Sequence, residues 1–153
     1  MTLRGARSVL MVCTGNICRS PTMEAVFRAR AHARGLMIDF DSAGTSGLHL
    51  GERPDPRTLR AAAARGYDLS RLRARPVRAP EDFARFDKIL AADRGHLAWL
   101  RERAPAEHHG KLALLLEGAD LPDPYYGETE DFEAVVLSVE AAADAWLAGL
   151  GRD

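Results

Sequence analysis

Ser8-Val9-Leu10-Met11-Val12 is an apolar run of strand length that breaks into a loop of mostly small and polar residues, Cys13 to Ser20, before Pro21 opens a helical pattern. A proline is tolerated in a first helical turn because its missing N–H has no partner there. Met23, Val26, Phe27 and Arg30 or Ala31 then follow at helical spacing until Gly35 stops the run. This strand-loop-helix unit restricts the chain more than any other feature. A buried strand that feeds directly into a helix must find its sheet partners through crossovers, which favours parallel pairing.

The rest of the chain continues the alternation. Met37 to Ser42 reads as a second strand, and Asp55-Pro56 starts a capped helix carrying Leu59, Ala62 and Ala63 that ends at Gly66. Tyr67 to Pro80 has no clear period and reads as loop or broken helix. A short helix over Pro80 to Phe86, a strand Lys88 to Ala92, a helix Leu97 to Arg103 and a strand Leu112 to Leu116 come next. Phe132, Val135, Val136, Val139, Ala142, Ala143, Trp146, Leu147 and Leu150 then share one face of a long helix, with Thr129 as its expected cap. Short apolar strands alternating with helices predict an α/β fold, a parallel sheet covered by helices on both faces. Ligands of such sheets sit beyond the carboxyl ends of the strands, so the loop after the first strand is the place to expect chemistry.

At 153 residues the chain has the size of one domain, 1–153, and can bury a real core. No apolar window is long enough for a membrane span, and the net charge of −1 leaves no footprint for nucleic acid, so a cytoplasmic protein with neither partner is expected. Cys13 and Cys18 are the only cysteines, too few for a disulfide framework and wrongly spaced for zinc; the five histidines show no ligand spacing either.

The loop Cys13-Thr14-Gly15-Asn16-Ile17-Cys18-Arg19-Ser20 suits one task. Backbone N–H groups at a helix N-terminus converge on a point, and the helix dipole adds fixed positive charge there, so a dianion is the natural guest. Gly15 permits an unusual backbone, and Arg19 offers a planar fork for two phosphoryl oxygens. The same field favours a nucleophilic thiolate at Cys13, to which Ser20 can donate a hydrogen bond, while Asn16 is expected to brace the loop through backbone carbonyls. A cysteine with an arginine six positions on is a cheap coincidence in an arginine-rich chain; its setting between strand and helix gives it weight. Expulsion of a phenol or alcohol needs a proton donor over the site. Asp123-Pro124-Tyr125-Tyr126-Gly127, a turn directly after the last strand, supplies Asp123 as general acid and two tyrosines as a cleft wall.

With both loops in view, the chain resembles the low-molecular-weight protein-tyrosine phosphatases over essentially its whole length. Cys13 to Pro21 is similar to that family's N-terminal signature, Asp123-Pro124-Tyr125 to its acid loop, and Asp39 to Thr45 with Pro54 to Arg57 to its connecting segments. The resemblance implies a three-layer sandwich around a four-stranded parallel sheet of order 2-1-3-4. It also implies hydrolysis of phosphotyrosine in proteins and of small aryl phosphates through a phosphocysteine, without metal or other cofactor. Cys13, Arg19 and Asp123 are then catalytic, Thr14 to Ser20 bind phosphate, and Asn16, Ser20 and Ser42 form a supporting hydrogen-bond network. Ile17, Leu48, Tyr125 and Tyr126 line the substrate cleft, Cys13 and Cys18 form a reversible disulfide, phosphate or a similar oxyanion inhibits, and the enzyme is a monomer. Leu48 stands where the family often has an aromatic residue, and Arg71 where some members have a histidine. The related arsenate reductases need further cysteines that this chain lacks. The protein-arginine phosphatase branch carries a small polar residue in place of Ile17, whose apolar side chain favours an aromatic ring. A redox switch at Cys13 and Cys18 is compatible with catalysis, and a catalytically silent phosphate-binding module is the reading from another class.

Overall fold

A computed structural model of the protein describes residues 1–152. Four strands, β1 (Ser8–Cys13), β2 (Asp39–Gly44), β3 (Lys88–Ala91) and β4 (Leu112–Leu114), form one parallel sheet in the order β2-β1-β3-β4. The central β1 pairs Val12 with Ala43 of β2 on one side and with Ala91 of β3 on the other. Helices α1 (Arg19–Ala33), α2 (Pro56–Ala63), α3 (Glu81–Arg85), α4 (Arg94–Arg103) and α5 (Thr129–Trp146) fill the connections, with a 3-10 turn over Ala106–Lys111 leading into β4.

Because strand side chains alternate between faces, β1 divides its burial between two cores. Val9, Met11 and Cys13 pack with Met23, Val26 and Phe27 of α1 and with Phe132, Val136, Val139, Ala143 and Trp146 of α5. Leu10 and Val12 point the other way, toward Phe83, Phe86, Ile89, Leu97 and Leu100. A strand buried on both faces has no polar alternation, which is why Val9 to Val12 read as an unbroken apolar run. The expected three-layer α/β sandwich and its strand order are therefore both present.

Several element ends differ from the expectation. Helix α1 begins at Arg19, so Pro21 is its third residue. Proline is free of penalty throughout the first turn and marks that turn, not its first residue. Strand β2 starts at Asp39 and runs on to Gly44, beyond Ser42, because its pairing with β1 continues up to Cys13. Helix α4 starts at Arg94, earlier than the apolar pattern from Leu97, since Asp93 caps it. At α5 the cap is Glu128 and not Thr129: the Asp131 carboxylate accepts the Glu128 backbone N–H at 2.7 Å. Asp55 caps α2 as expected, accepting from the Arg57 N–H at 2.8 Å. The stretch from Tyr67 to Pro80 is irregular apart from a bridge between Pro76 and Gly44, which carries it along the carboxyl edge of the sheet.

Candidate active site

The loop between β1 and α1 turns tightly at the sheet's carboxyl edge, and its path is set by three neighbours. The N–H groups of Thr45 and Ser46, just past β2, donate to the carbonyls of Cys13 and Thr14 at 2.9 and 3.0 Å. Gly44 lets these strands approach: a Cβ there would stand 2.4 Å from the Thr14 carbonyl oxygen. Asn16 takes the left-handed conformation, φ 57°, which asparagine tolerates better than most residues.

Asn16 does not bond backbone carbonyls. Its Oδ1 accepts the Arg75 N–H at 3.0 Å, and its Nδ2 donates to Ser20 Oγ at 2.7 Å and to Ser42 Oγ at 3.0 Å. The reason is position: Arg75 lies on the long irregular stretch that passes beside the loop, and the Ser20 and Ser42 hydroxyls lie within hydrogen-bond reach of the amide. Ser42 Oγ in turn donates to the buried Glu24 at 2.6 Å. At the other end, Ser20 Oγ lies 3.0 Å from Cys13 Sγ. One of its two lone pairs takes the Asn16 N–H, and toward a Cys13 thiolate, which has no proton to give, the Ser20 hydroxyl is the donor.

Arg19 is buried as an ion, and its charge is compensated. Nη1 donates to Asp93 Oδ2 and to the Leu121 carbonyl, each at 2.9 Å, and Nη2 lies 3.5 Å from Asp123 Oδ2. This arrangement fixes the plane of the guanidinium and leaves the Nε and Nη2 side of the fork for a ligand. Burial pushes the Asp93 carboxyl up, but the hydrogen bonds from Arg19 and the His96 backbone N–H, with the Arg19 charge, outweigh it and hold the group below its ordinary value. Burial dominates at Cys18, whose thiol is pushed up to about 12 despite a hydrogen bond with Thr58. Cys18 is thus a neutral, buried thiol at the edge of the cleft, and both cysteines are free.

Cys13, Thr14, Gly15, Ile17, Cys18, Arg19, Leu48, His49, Asp123, Tyr125 and Tyr126 surround one cleft of 370 Å³. Asp123, from the loop after β4, sits at its mouth and accepts the Tyr125 N–H at 3.1 Å. Tyr125 and Tyr126 meet edge to face, 4.9 Å between centroids, and Tyr126 and Leu48 are 95 % and 80 % exposed, leaving two apolar lips on opposite loops. Cys13, Arg19, Asp123, Ile17, Leu48, Tyr125 and Tyr126 thus share the cleft, whereas the side chains of Asn16 and Ser20, expected with Thr14 to Ser20 around phosphate, are buried and stand outside its lining with Ser42.

The family model described as low molecular weight phosphotyrosine protein phosphatase matches residues 8–153. The chain belongs to that family. A low molecular weight protein-tyrosine-phosphatase of Streptomyces coelicolor is 45 % identical, over 93 % of this chain and 92 % of its own length. Among solved structures, YfkJ of Bacillus subtilis superposes with a TM-score of 0.85 at 38 % identity, covering 92 % of both chains. Wzb of Vibrio vulnificus, in complex with benzylphosphonate, superposes with a TM-score of 0.86 at 30 % identity, covering 95 % of this chain and all of its own. This low molecular weight phosphatase is accordingly an enzyme of the protein-tyrosine-phosphatase class, with Cys13 and Arg19 in the spacing that its phosphate loop requires.

Sequence reasoning missed Asp93, His96, Glu24 and Gly44 as parts of this phosphatase's site. Asp93 was open to discovery, because a helix-capping acid directly after β3 must lie at the same carboxyl edge as the Cys13 loop. Glu24 carried a fainter signal: it falls one helical turn after Ser20 on α1, on the side that faces Ser42 of β2. Nothing local to Gly44 marks the close approach it allows.

Proposed function

We propose that this protein removes phosphate from phosphotyrosine in proteins, with Cys13 as nucleophile, Arg19 as phosphoryl clamp and Asp123 as general acid and base. One observation carries the reading: Cys13 and Arg19 on the first loop and Asp123 from the far end of the sheet face a single cleft with an apolar entrance. The Cys13 sulfur attacks phosphorus as the bond to the phenolic oxygen breaks, and the Asp123 carboxyl gives its proton to the departing phenolate. Arg19 and the loop N–H groups of Thr14 to Ser20 hold the three equatorial oxygens, where charge is greatest in transit. The Asp123 carboxylate then takes a proton from water, whose oxygen attacks the phosphocysteine, releasing phosphate and the thiolate.

The apolar side chain of Ile17 and the paired tyrosines suit a ring attached to the phosphate. Benzylphosphonate, bound by the Vibrio vulnificus relative, has this character: an aromatic group carried by a tetrahedral oxyanion. We read the protein as one phosphatase domain, monomeric and cytoplasmic, and inhibited by free phosphate. Among the described residues no helix is long and apolar enough to cross a membrane.

The test is hydrolysis of para-nitrophenyl phosphate, a phosphotyrosine peptide and phosphoarginine by reduced protein with chelator present, beside Cys13→Ser. Turnover favouring phosphotyrosine and abolished in Cys13→Ser is expected. Preference for phosphoarginine would transfer the chain to the neighbouring branch, and undiminished turnover in Cys13→Ser would overturn the assignment.

A further inference from the structure

His96 is buried at the start of α4, and its hydrogen bonds determine which of its nitrogens carries the proton. Nδ1 accepts the backbone N–H of Asp93 at 3.2 Å and, although it also lies 3.1 Å from Asp93 Oδ1, forms no hydrogen bond with that oxygen, so in the neutral ring the proton resides on Nε2. Nε2 stands 2.8 Å from Thr14 Oγ1 and must be the donor in that pair. One lone pair of the Thr14 hydroxyl is then occupied from behind, and its own proton is free to turn into the cleft that Thr14 lines beside Cys13. The charged groups around the ring are Asp93 on the cap of α4, Arg19 on the first loop, and Asp120 and Asp123 on the loop after β4. Burial is the largest influence on it, and it is held below the ordinary histidine value despite the pull of Asp93. The neutral tautomer therefore prevails at neutral pH.

Building on the phosphatase reading, we propose that Thr14 Oγ1 is a side-chain donor to a phosphoryl oxygen and that His96 is the positioning residue that aims it. Through the reciprocal bond between the Asp93 carboxylate and the His96 N–H, 3.1 Å, the same histidine steadies the acid that holds Arg19. The loop is thereby coupled to its clamp from the rear.

Two near-isosteric variants separate these contacts. In H96N the side-chain oxygen can still cap the Asp93 N–H, but the amide is too short to reach Thr14. In H96Q the amide nitrogen reaches about as far as Nε2. Orthophosphate dissociation constants, measured by calorimetry at pH 7.5, require no turnover and so stand apart from the test of the phosphatase reading; thermal denaturation without ligand confirms folding. Loss of one hydrogen bond to a charged acceptor predicts about tenfold weaker binding in T14V and in H96N. The double variant should be no weaker than either single one, and H96Q should recover most of the affinity. Wild-type affinity in folded H96N, losses that multiply in the double variant, or failure of the wild-type protein to bind orthophosphate would each overturn the proposal.

Discussion

Ser20 has its proton directed by its neighbours. The chain Glu24, Ser42, Asn16, Ser20, Cys13 is polarised from end to end: the Ser42 hydroxyl gives its proton to Glu24, and the Asn16 amide supplies protons to both serines. Only the sulfur then remains for the Ser20 hydroxyl, at 3.0 Å. Ser20→Ala should reduce kcat by roughly a hundred- to a thousandfold, the range for loss of one preorganised donor at developing charge, with a much smaller change in KM. Steady-state kinetics on para-nitrophenyl phosphate check this, and a loss confined to KM would contradict it. Ser20 and its role could be read from the sequence because the residue lies in the loop itself, within reach of Cys13. Asp93 could be placed at the same sheet edge from its capping position after β3, but its pairing with Arg19, like that of His96 with Thr14, comes from the adjacency of β1 and β3, which no local pattern encodes. Residue chemistry alone gave Asn16 backbone carbonyls as partners; it bonds instead Ser20 and Ser42, the network that the family resemblance implied, and the N–H of Arg75, which approaches from a segment with no periodicity to place it.

Two element contacts set how rigidly the loop is presented. The first is the crossing of β2 behind it, where Gly44 leaves no room for a methyl group: a Cβ would meet the Thr14 carbonyl at 2.4 Å, the Ser46 carbonyl at 3.0 Å and the Asn16 N at 3.2 Å. All three are backbone atoms, so Gly44→Ala must displace the loop. A loss of about 1–3 kcal/mol in urea denaturation is expected, with weaker phosphate binding. The second contact joins α5 to α1 and to the end of α2. Glu140, buried on α5, accepts from Arg30 at 3.0 Å, Arg65 at 2.8 Å and Tyr67 Oη at 2.6 Å. Burial alone would push the Glu140 carboxyl up, but the bonds from Tyr67, Arg65 and Arg30 outweigh it and hold the group below its ordinary 4.5. A carboxyl lowered in the folded state stabilises above its ordinary value, and that stability is lost as pH falls through the folded one. Glu140→Gln should therefore be about 1–2 kcal/mol less stable at pH 7, discounted for the partly exposed arginines, and should approach the wild type in acid. Urea denaturation at pH 7 and below pH 4 tests both statements. The elements themselves were legible because burial on two faces or on one stripe leaves its own period. Their ends were not, because caps such as Asp93 and Glu128 are polar residues outside that period.

At the scale of the whole molecule, the phosphate loop is where separate parts of the chain are joined. Cys13 ends β1, Arg19 begins α1, Thr45 and Ser46 follow β2, Asp93 lies between β3 and α4, and the Leu121 carbonyl precedes Asp123. A dianion held by this loop is bound only while all of these remain together, so its binding free energy adds to the stability of the entire fold. Orthophosphate at a hundred times its dissociation constant should contribute about 2.7 kcal/mol, which for a protein of this length raises Tm by roughly 5–10 °C. Arg19→Ala, which deletes the fork, should show little rise at the same phosphate concentration. Asp123→Asn distinguishes a clamp from a generally basic cleft. Its carboxylate lies 3.5 Å from Arg19 Nη2, where it faces the incoming anion, so removing its charge should leave the phosphate-induced rise at least as large as in the wild type while kcat collapses. A rise that vanished in Asp123→Asn as well would mean that Asp123 holds the loop together instead of serving the leaving group.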